Sequence, residues 1–110
     1  MGSFNISLRK NGEFQFVLKA DNGQVILNSE GYSSKQGCTN GIESVKTNSQ
    51  SKDNFETRTA TNGKVYFVLK AGNGQIIGTS QMYEGDDGLK NGIASVIKNA
   101  HNASVVDETA

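Results

Sequence analysis

Two lysines stand at the same point of two nearly identical phrases. Lys19 precedes Asn22-Gly23, and Lys70 precedes Asn73-Gly74. A cation beside the main-chain amides of a tight turn can hold a small anion or a phosphate group. Lys19, Asn22, Gly23, Lys70, Asn73 and Gly74 are therefore the candidate binding residues. The same six also suit a hairpin: a lysine pointing outward near a strand end, then Asn-Gly, which accepts the positive φ at both central positions of a type I′ turn. This structural use explains Asn-Gly without a ligand. Neither GxxxxGK[ST] nor a GxGxxG after a strand occurs, so no phosphate-loop motif adds to the case.

Catalytic chemistry has little to build on. His101 is the one histidine, and no nucleophile or orienting carboxylate stands at a spacing that would pair with it. It reads as a loop residue after a helix. With one cysteine and one histidine no zinc-ligand spacing exists, and no metal or cofactor is expected. Cys38 aligns with Leu89 in the second phrase, which makes it a core position held by a small hydrophobe. Ser44 and Ser95 lie inside a helical motif, where back-bonding or small-residue packing explains a serine. Tyr32 and Tyr83 mark a junction between strand and helix, and the expected role is an anchoring ring with a bonded hydroxyl.

The phrases are two copies of one unit. Residues 11–49 and 62–100 align without a gap at an offset of 51, with roughly half the positions identical. The 110 residues carry 11 basic and 11 acidic side chains, balanced within each half as well. That balance lacks the basic footprint of a nucleic-acid binder. No stretch is apolar for the 18 or so residues that span a bilayer, and no apolar leader opens the chain. The single cysteine rules out an intramolecular disulfide and suits a cytoplasmic setting.

Hydrophobic period gives the elements that place these residues. Phe4, Ile6 and Leu8 alternate with polar residues, as do Phe14, Phe16, Leu18 and Ala20, and residues 24–30 form a third strand. Asn11-Gly12 and Asn22-Gly23 join the three into a meander. The period then changes: Cys38, Gly41, Ile42 and Val45 form a helical stripe, with Ser33 or Ser34 as N-cap and Asn48 as the stop. Gly37, Gly41, Gly88 and Gly92 each cost about 1 kcal/mol in a helix, and their presence in both copies implies a close approach at one site or more. The second copy repeats the plan with a weak strand over residues 55–60, strands over 64–71 and 75–81, a stripe through Leu89, Gly92, Ile93 and Val96, and a last strand over 104–109. Val17 and Val68 point away from the Phe16 and Phe67 face. The expectation is one α+β domain over residues 1–110, made of repeats at about 1–51 and 52–110. Two helices pack on one face of an antiparallel sheet with pseudo-twofold symmetry. Each half alone is too small for a sturdy core.

The combination FxLKAxNGxxI, a tyrosine and GIxSVxxN, present twice, resembles the repeats of the YegP-like family, small bacterial proteins of unknown function. The resemblance implies two β3-α-β units in one sheet, with the closing strands exchanged between units. It implies no activity. Gly85-Asp86 departs from the pattern, standing where the first copy has Ser34-Lys35. Together these readings describe a monomeric, cytoplasmic, non-enzymatic interaction or structural module with a possible protein partner. The alternative is anion or nucleic-acid binding at the two lysine tips.

Overall fold

A computed structural model describes residues 2–109; Met1 and Ala110, the outermost residues of the expected domain, lie outside them. Seven strands and two helices follow in the order β1 (Ser3–Leu8), β2 (Phe14–Lys19), β3 (Val25–Asn28), α1 (Lys35–Asn48), β4 (Phe55–Thr59), β5 (Val65–Lys70), β6 (Ile76–Thr79), α2 (Asp86–Ala100) and β7 (Ser104–Asp107). One sheet holds all seven strands in the order β4-β5-β6-β3-β2-β1-β7. The expected α+β fold is present: two β-meanders, each followed by a helix, share one sheet.

The two repeats meet where β3 pairs antiparallel with β6, Asn28 opposite Thr79. Those residues are 51 apart, so each faces its own counterpart and the pseudo-twofold axis passes between them. Both halves keep the same register, Val17 opposite Asn28 and Val68 opposite Thr79. Each also has a bulge, after Leu18 in one and Leu69 in the other.

The core lies between the sheet and the helices. Phe4, Phe16, Leu18, Leu27, Ile42 and Val45 from the first repeat join Phe67, Leu69 and Val96 from the second, all fully buried. Cys38 is buried among them, as its leucine counterpart implied. Symmetry breaks at the axis. Leu27 occupies the space above Gly78, its own counterpart. A Cβ on Gly78 would lie 2.6 Å from Leu27 Cδ2. Two leucines would collide there, and one leucine with one glycine fits.

Each helix crosses from its own repeat to the other. α1 packs on β2, β6 and β5, and α2 on β5, β3, β2 and β1. α1 therefore delivers the chain to the far edge, where a 3₁₀ turn at Lys52–Asn54 leads into β4. α2 delivers it to the opposite edge, where β7 runs beside β1. The closing strand of the second repeat is thus held by the first. The β7–β1 pair is parallel, which corrects the expectation of an antiparallel sheet throughout. The chain arrives there from a helix rather than a hairpin, so nothing forces reversal of direction.

Local chemistry follows the sequence in α1, where the Ser34 hydroxyl accepts from Gly37 N–H at 3.0 Å. α2 starts differently. Gly85 is its N-cap without a side-chain bond, and Asp86 and Asp87 supply negative charge to its first turn instead. All four Asn-Gly tips also depart from the type I′ expectation. Only the glycines have positive φ, from 84° to 87°. Gly23 N–H reaches back to the Ala20 carbonyl at 2.9 Å, and Ala20 N–H to the Gln24 carbonyl at 2.9 Å. This is a type I turn closed by a left-handed glycine, the three-residue hairpin loop with a bulge.

Candidate functional site

The lysine tips are separate. β3 and β6 run antiparallel across the axis, so the tips that precede them lie at opposite ends of the sheet. They also differ. Lys70 Nζ sits 2.8 Å from Glu56 Oε1, and Arg58 Nε sits 2.6 Å from the other oxygen of that carboxylate. The Lys70 and Arg58 hydrogen bonds hold the Glu56 carboxyl below the usual carboxylate range. Lys19 faces the polar Ser3 across β1 and β2 and has no acidic partner among the described residues. At both tips the turn uses its own amides. Asn22 Oδ1 accepts from Gln24 N–H, and Asn73 Oδ1 from Gln75 N–H, both at 3.0 Å; Gly23 and Gly74 N–H bond to Ala20 and Ala71.

The tips have a role that spacing alone did not show. Asn73, Gly74 and Gln75 of the second repeat overhang α1 of the first, facing Tyr32, Asn40 and Ser44 across a cleft of about 840 Å³. Asn22 and Gln24 of the first repeat overhang α2 of the second, facing Tyr83, Asn91 and Ser95 across about 290 Å³. Of the ten residues lining the smaller cleft, nine are identical to their counterparts, Gln81 against Glu30 being the exception. Structure accounts for most of this identity. Tyr32 stacks on Phe16 at 6.2 Å and Tyr83 on Phe67 at 6.3 Å. A Cβ on Gly41 or Gly92 would collide with the tyrosine hydroxyl above it, so these are the glycines that a close approach requires. Neither tyrosine hydroxyl has a hydrogen-bond partner among the described residues, contrary to the bonded anchor expected. Burial, then Cys38 and Glu30, raises the Tyr32 hydroxyl pKa. Ser44 and Ser95 accept from Asn48 and Asn99 Nδ2 within their helices, at 3.0 and 3.1 Å. No lysine lines either cleft; Glu30 gives the larger one a carboxylate where the smaller one has the neutral Gln81.

Two serines escaped the sequence reading. Ser29 Oγ accepts from Phe16 N–H at 2.8 Å and Ser80 Oγ from Phe67 N–H at 2.9 Å. Each donates in turn to the next carbonyl, at 2.8 Å. They replace a ladder bond where the strand ends. Their recurrence three residues before each tyrosine was the available signal.

Val17 and Val68 lie on the sheet face away from the helices, as expected, and differ there in burial. Val17 is half-buried as a scattered apolar residue would be, but Val68 is only 2% exposed. It lies opposite Glu56, within the Arg58–Glu56–Lys70 cluster. The charged stems cover it.

The two edges of the sheet are unequal. At one edge β7 covers β1, and Phe4 and Ile42 are fully buried. At the other, β4 has β5 on one side and, among the described residues, no strand on the other. Phe55 and Ile93, the counterparts of Phe4 and Ile42, are only half-buried. They line a groove of about 570 Å³ with Ala94, Ile97, Lys52, Lys90 and Lys98. Ala94 and Ile97 stand where α1 has Glu43 and Lys46, so the open side is the more apolar one. Ala60 N–H bonds to Lys64 across the hairpin, which fixes alternation along β4 and turns the Thr57 and Thr59 main-chain groups outward.

Elsewhere the described residues contain no grouping of three or more His, Cys, Asp or Glu able to hold a metal. His101 follows α2, exposed, without a catalytic companion. Burial raises the Cys38 thiol pKa, away from the thiolate that reactivity needs. No helix among the described residues is long and apolar enough to cross a membrane.

Comparison with known proteins matches this architecture. The chain is 50% identical over 108 residues to a UPF0339 protein of Shewanella oneidensis and 49% identical over 108 residues to the UPF0339 protein YegP of Escherichia coli K12. Each alignment covers 98% of both proteins. The solution NMR structure of a Shewanella oneidensis UPF0339 protein superposes with a TM-score of 0.90 at 50% identity, covering 96% of this chain and 90% of that one. That of E. coli YegP, described as a protein of unknown function, superposes with a TM-score of 0.92 at 48% identity, covering 97% and 92%. None of these names carries a reaction or a ligand. The family profile described as "Domain of unknown function (DUF1508)" matches twice, at residues 10–56 and 60–107. With both units matched and its relatives aligned nearly end to end, this chain is a tandem member of the DUF1508, or YegP-like, family.

Proposed function

We propose that the protein is a non-catalytic interaction module that engages a protein partner through the open edge of its second repeat. The observation that carries this reading is the inequality of the two edges. The fold finishes one edge with β7 and leaves the equivalent edge with outward main-chain groups beside an apolar groove. An unpaired edge is a template for another strand, and proteins usually blunt it with charge or cover. The charges of β4, Glu56 and Arg58, lie on the opposite face from the groove and pair with each other. In this reading the chain acts as a monomer whose second repeat stands in for a second subunit. The setting is cytoplasmic, which the single buried thiol supports.

Thr57→Pro tests the reading, because it removes an outward N–H and leaves the β4–β5 ladder intact. Recovery of partners from a bacterial lysate should fall at least about tenfold relative to wild type, and Thr57→Ala should retain it. Equal recovery with the proline variant would reject the open edge. A second reading, a small uncharged or cationic polar ligand in the twin clefts, rests on their near-identical linings, which differ by Glu30 against Gln81. The anion reading of the tips has weaker support, since the Gly23, Gln24, Gly74 and Gln75 amides are occupied and Lys70 is paired.

A further inference from the structure

The groove beside β4 is the place where a second β7 would lie. By the offset of 51, residues 53–56 are the counterparts of β7, residues 104–107. In the first repeat Asp53 and Asn54 end the short 3₁₀ turn, and Phe55 and Glu56 begin β4 itself. One stretch of chain cannot occupy both positions, so the sheet has seven strands and one slot stays open. The filled slot shows what the open one accepts. β7 runs parallel to β1, with Val105 opposite Phe4 and Asp107 opposite Ile6. The Ile6 carbonyl accepts from Glu108 N–H at 2.9 Å. Ala103, Val105 and Asp107 share the helix-side face; Ala103 is buried, and Asp107 Oδ2 meets Lys35 Nζ at 2.8 Å.

The open slot has the same frame with changed charge. Phe55 replaces Phe4, and the Thr57 carbonyl replaces that of Ile6. Asp86 stands where Lys35 does, with Asp87 next to it. Lys52, before β4, and Lys98, in the last turn of α2, flank the other end of the groove. We propose that the slot takes an extended segment of a partner protein, parallel to β4. That segment carries a small residue and an apolar residue at the positions of Ala103 and Val105, and a lysine or arginine at the position of Asp107. An acidic group ahead of the apolar pair would meet Lys52 and Lys98. A second copy of this chain is the wrong occupant, because its β7 would bring Asp107 against Asp86. The inference rests on the open-edge reading and adds direction, register and charge to it.

Two peptides test it against the intact protein: residues 102–109 of this chain, and the same peptide with Asp107→Lys. In NMR titrations the lysine peptide should shift the amides of residues 55–59 and the methyls of Ile93 and Ile97. It should bind about five- to tenfold more tightly than the native-sequence peptide, the scale of one exposed charge contact made attractive rather than repulsive. Asp86→Lys in the protein should reverse the order. Absence of shifts from both peptides, shifts confined to β1 and β7, or a preference unmoved by Asp86→Lys would overturn the inference. The Thr57→Pro recovery experiment is independent: a loss there with no charge preference here would keep the open-edge reading and remove the register assigned to it.

Discussion

Phe16 and Phe67 show how single residues carry both repeats. Each is fully buried, packs edge-on against the aromatic residue of the neighbouring strand, at 5.7 and 5.5 Å, and stacks on its tyrosine. Either Phe→Ala substitution should cost about 3–5 kcal/mol, lost transfer energy plus a cavity that the stacked tyrosine cannot fill. Denaturant unfolding measures this, and a loss below about 1 kcal/mol would contradict the packing described. These two positions were legible in the sequence because period-2 alternation depends only on the residue's own strand. The lysine tips were legible as positions and not as environments. Lys70 is paired because β4 brings Glu56 across to it, whereas Asn5 holds the equivalent place beside Lys19. Identity at one position cannot report a difference at the position opposite. The turn type was missed for a related reason: Asn-Gly suits more than one hairpin loop, and the residue count between the strands decides which forms.

At the scale of elements, β7 depends on its ends. The Asp107 carboxyl is held down to about 2, first by the Lys35 hydrogen bond and then by the Thr109 hydroxyl and N–H. Its unfolded value is about 3.9. A depressed carboxylate contributes stability that is present above the unfolded value and lost as pH falls through the folded one. Protection of the β7 amides, measured relative to intrinsic exchange at each pH, should therefore fall between about pH 4 and pH 2, ahead of β2 and β3. Asp107→Asn should remove that pH dependence. Uniform protection of β7 down to pH 2 in the wild type would show that the Lys35 contact does not hold the strand. The existence of β7 could be read from the alignment of Val106 with Phe55. Its parallel direction could not, because that depends on where α2 ends. The groove beside β4 was hidden for the same reason, although its signal lay in the differences between copies: Ala94 for Glu43 and Ile97 for Lys46.

The whole molecule is one sheet divided by an axis, and neither half closes its own core. Each helix lies partly on the other repeat, and the first repeat's edge is covered by the second repeat's last strand. Residues 1–51 alone should be unfolded, since a unit of that size buries too little surface. Self-association would not rescue it cleanly, because two copies would place Leu27 against Leu27 where the intact chain has Gly78. A well-dispersed NMR spectrum from that half as a monomer would contradict the shared core. The same duplication accounts for the inequality of the two edges. Two equivalent units joined by so short a connection leave one closing-strand position without a strand. Hydrogen–deuterium exchange on the complex recovered from a bacterial lysate tests that claim most directly. Protection gained at residues 55–59 and 93–97, with residues 21–24 and 72–75 unchanged, is the predicted result. Protection gained at the two tips with none along β4 would contradict the account.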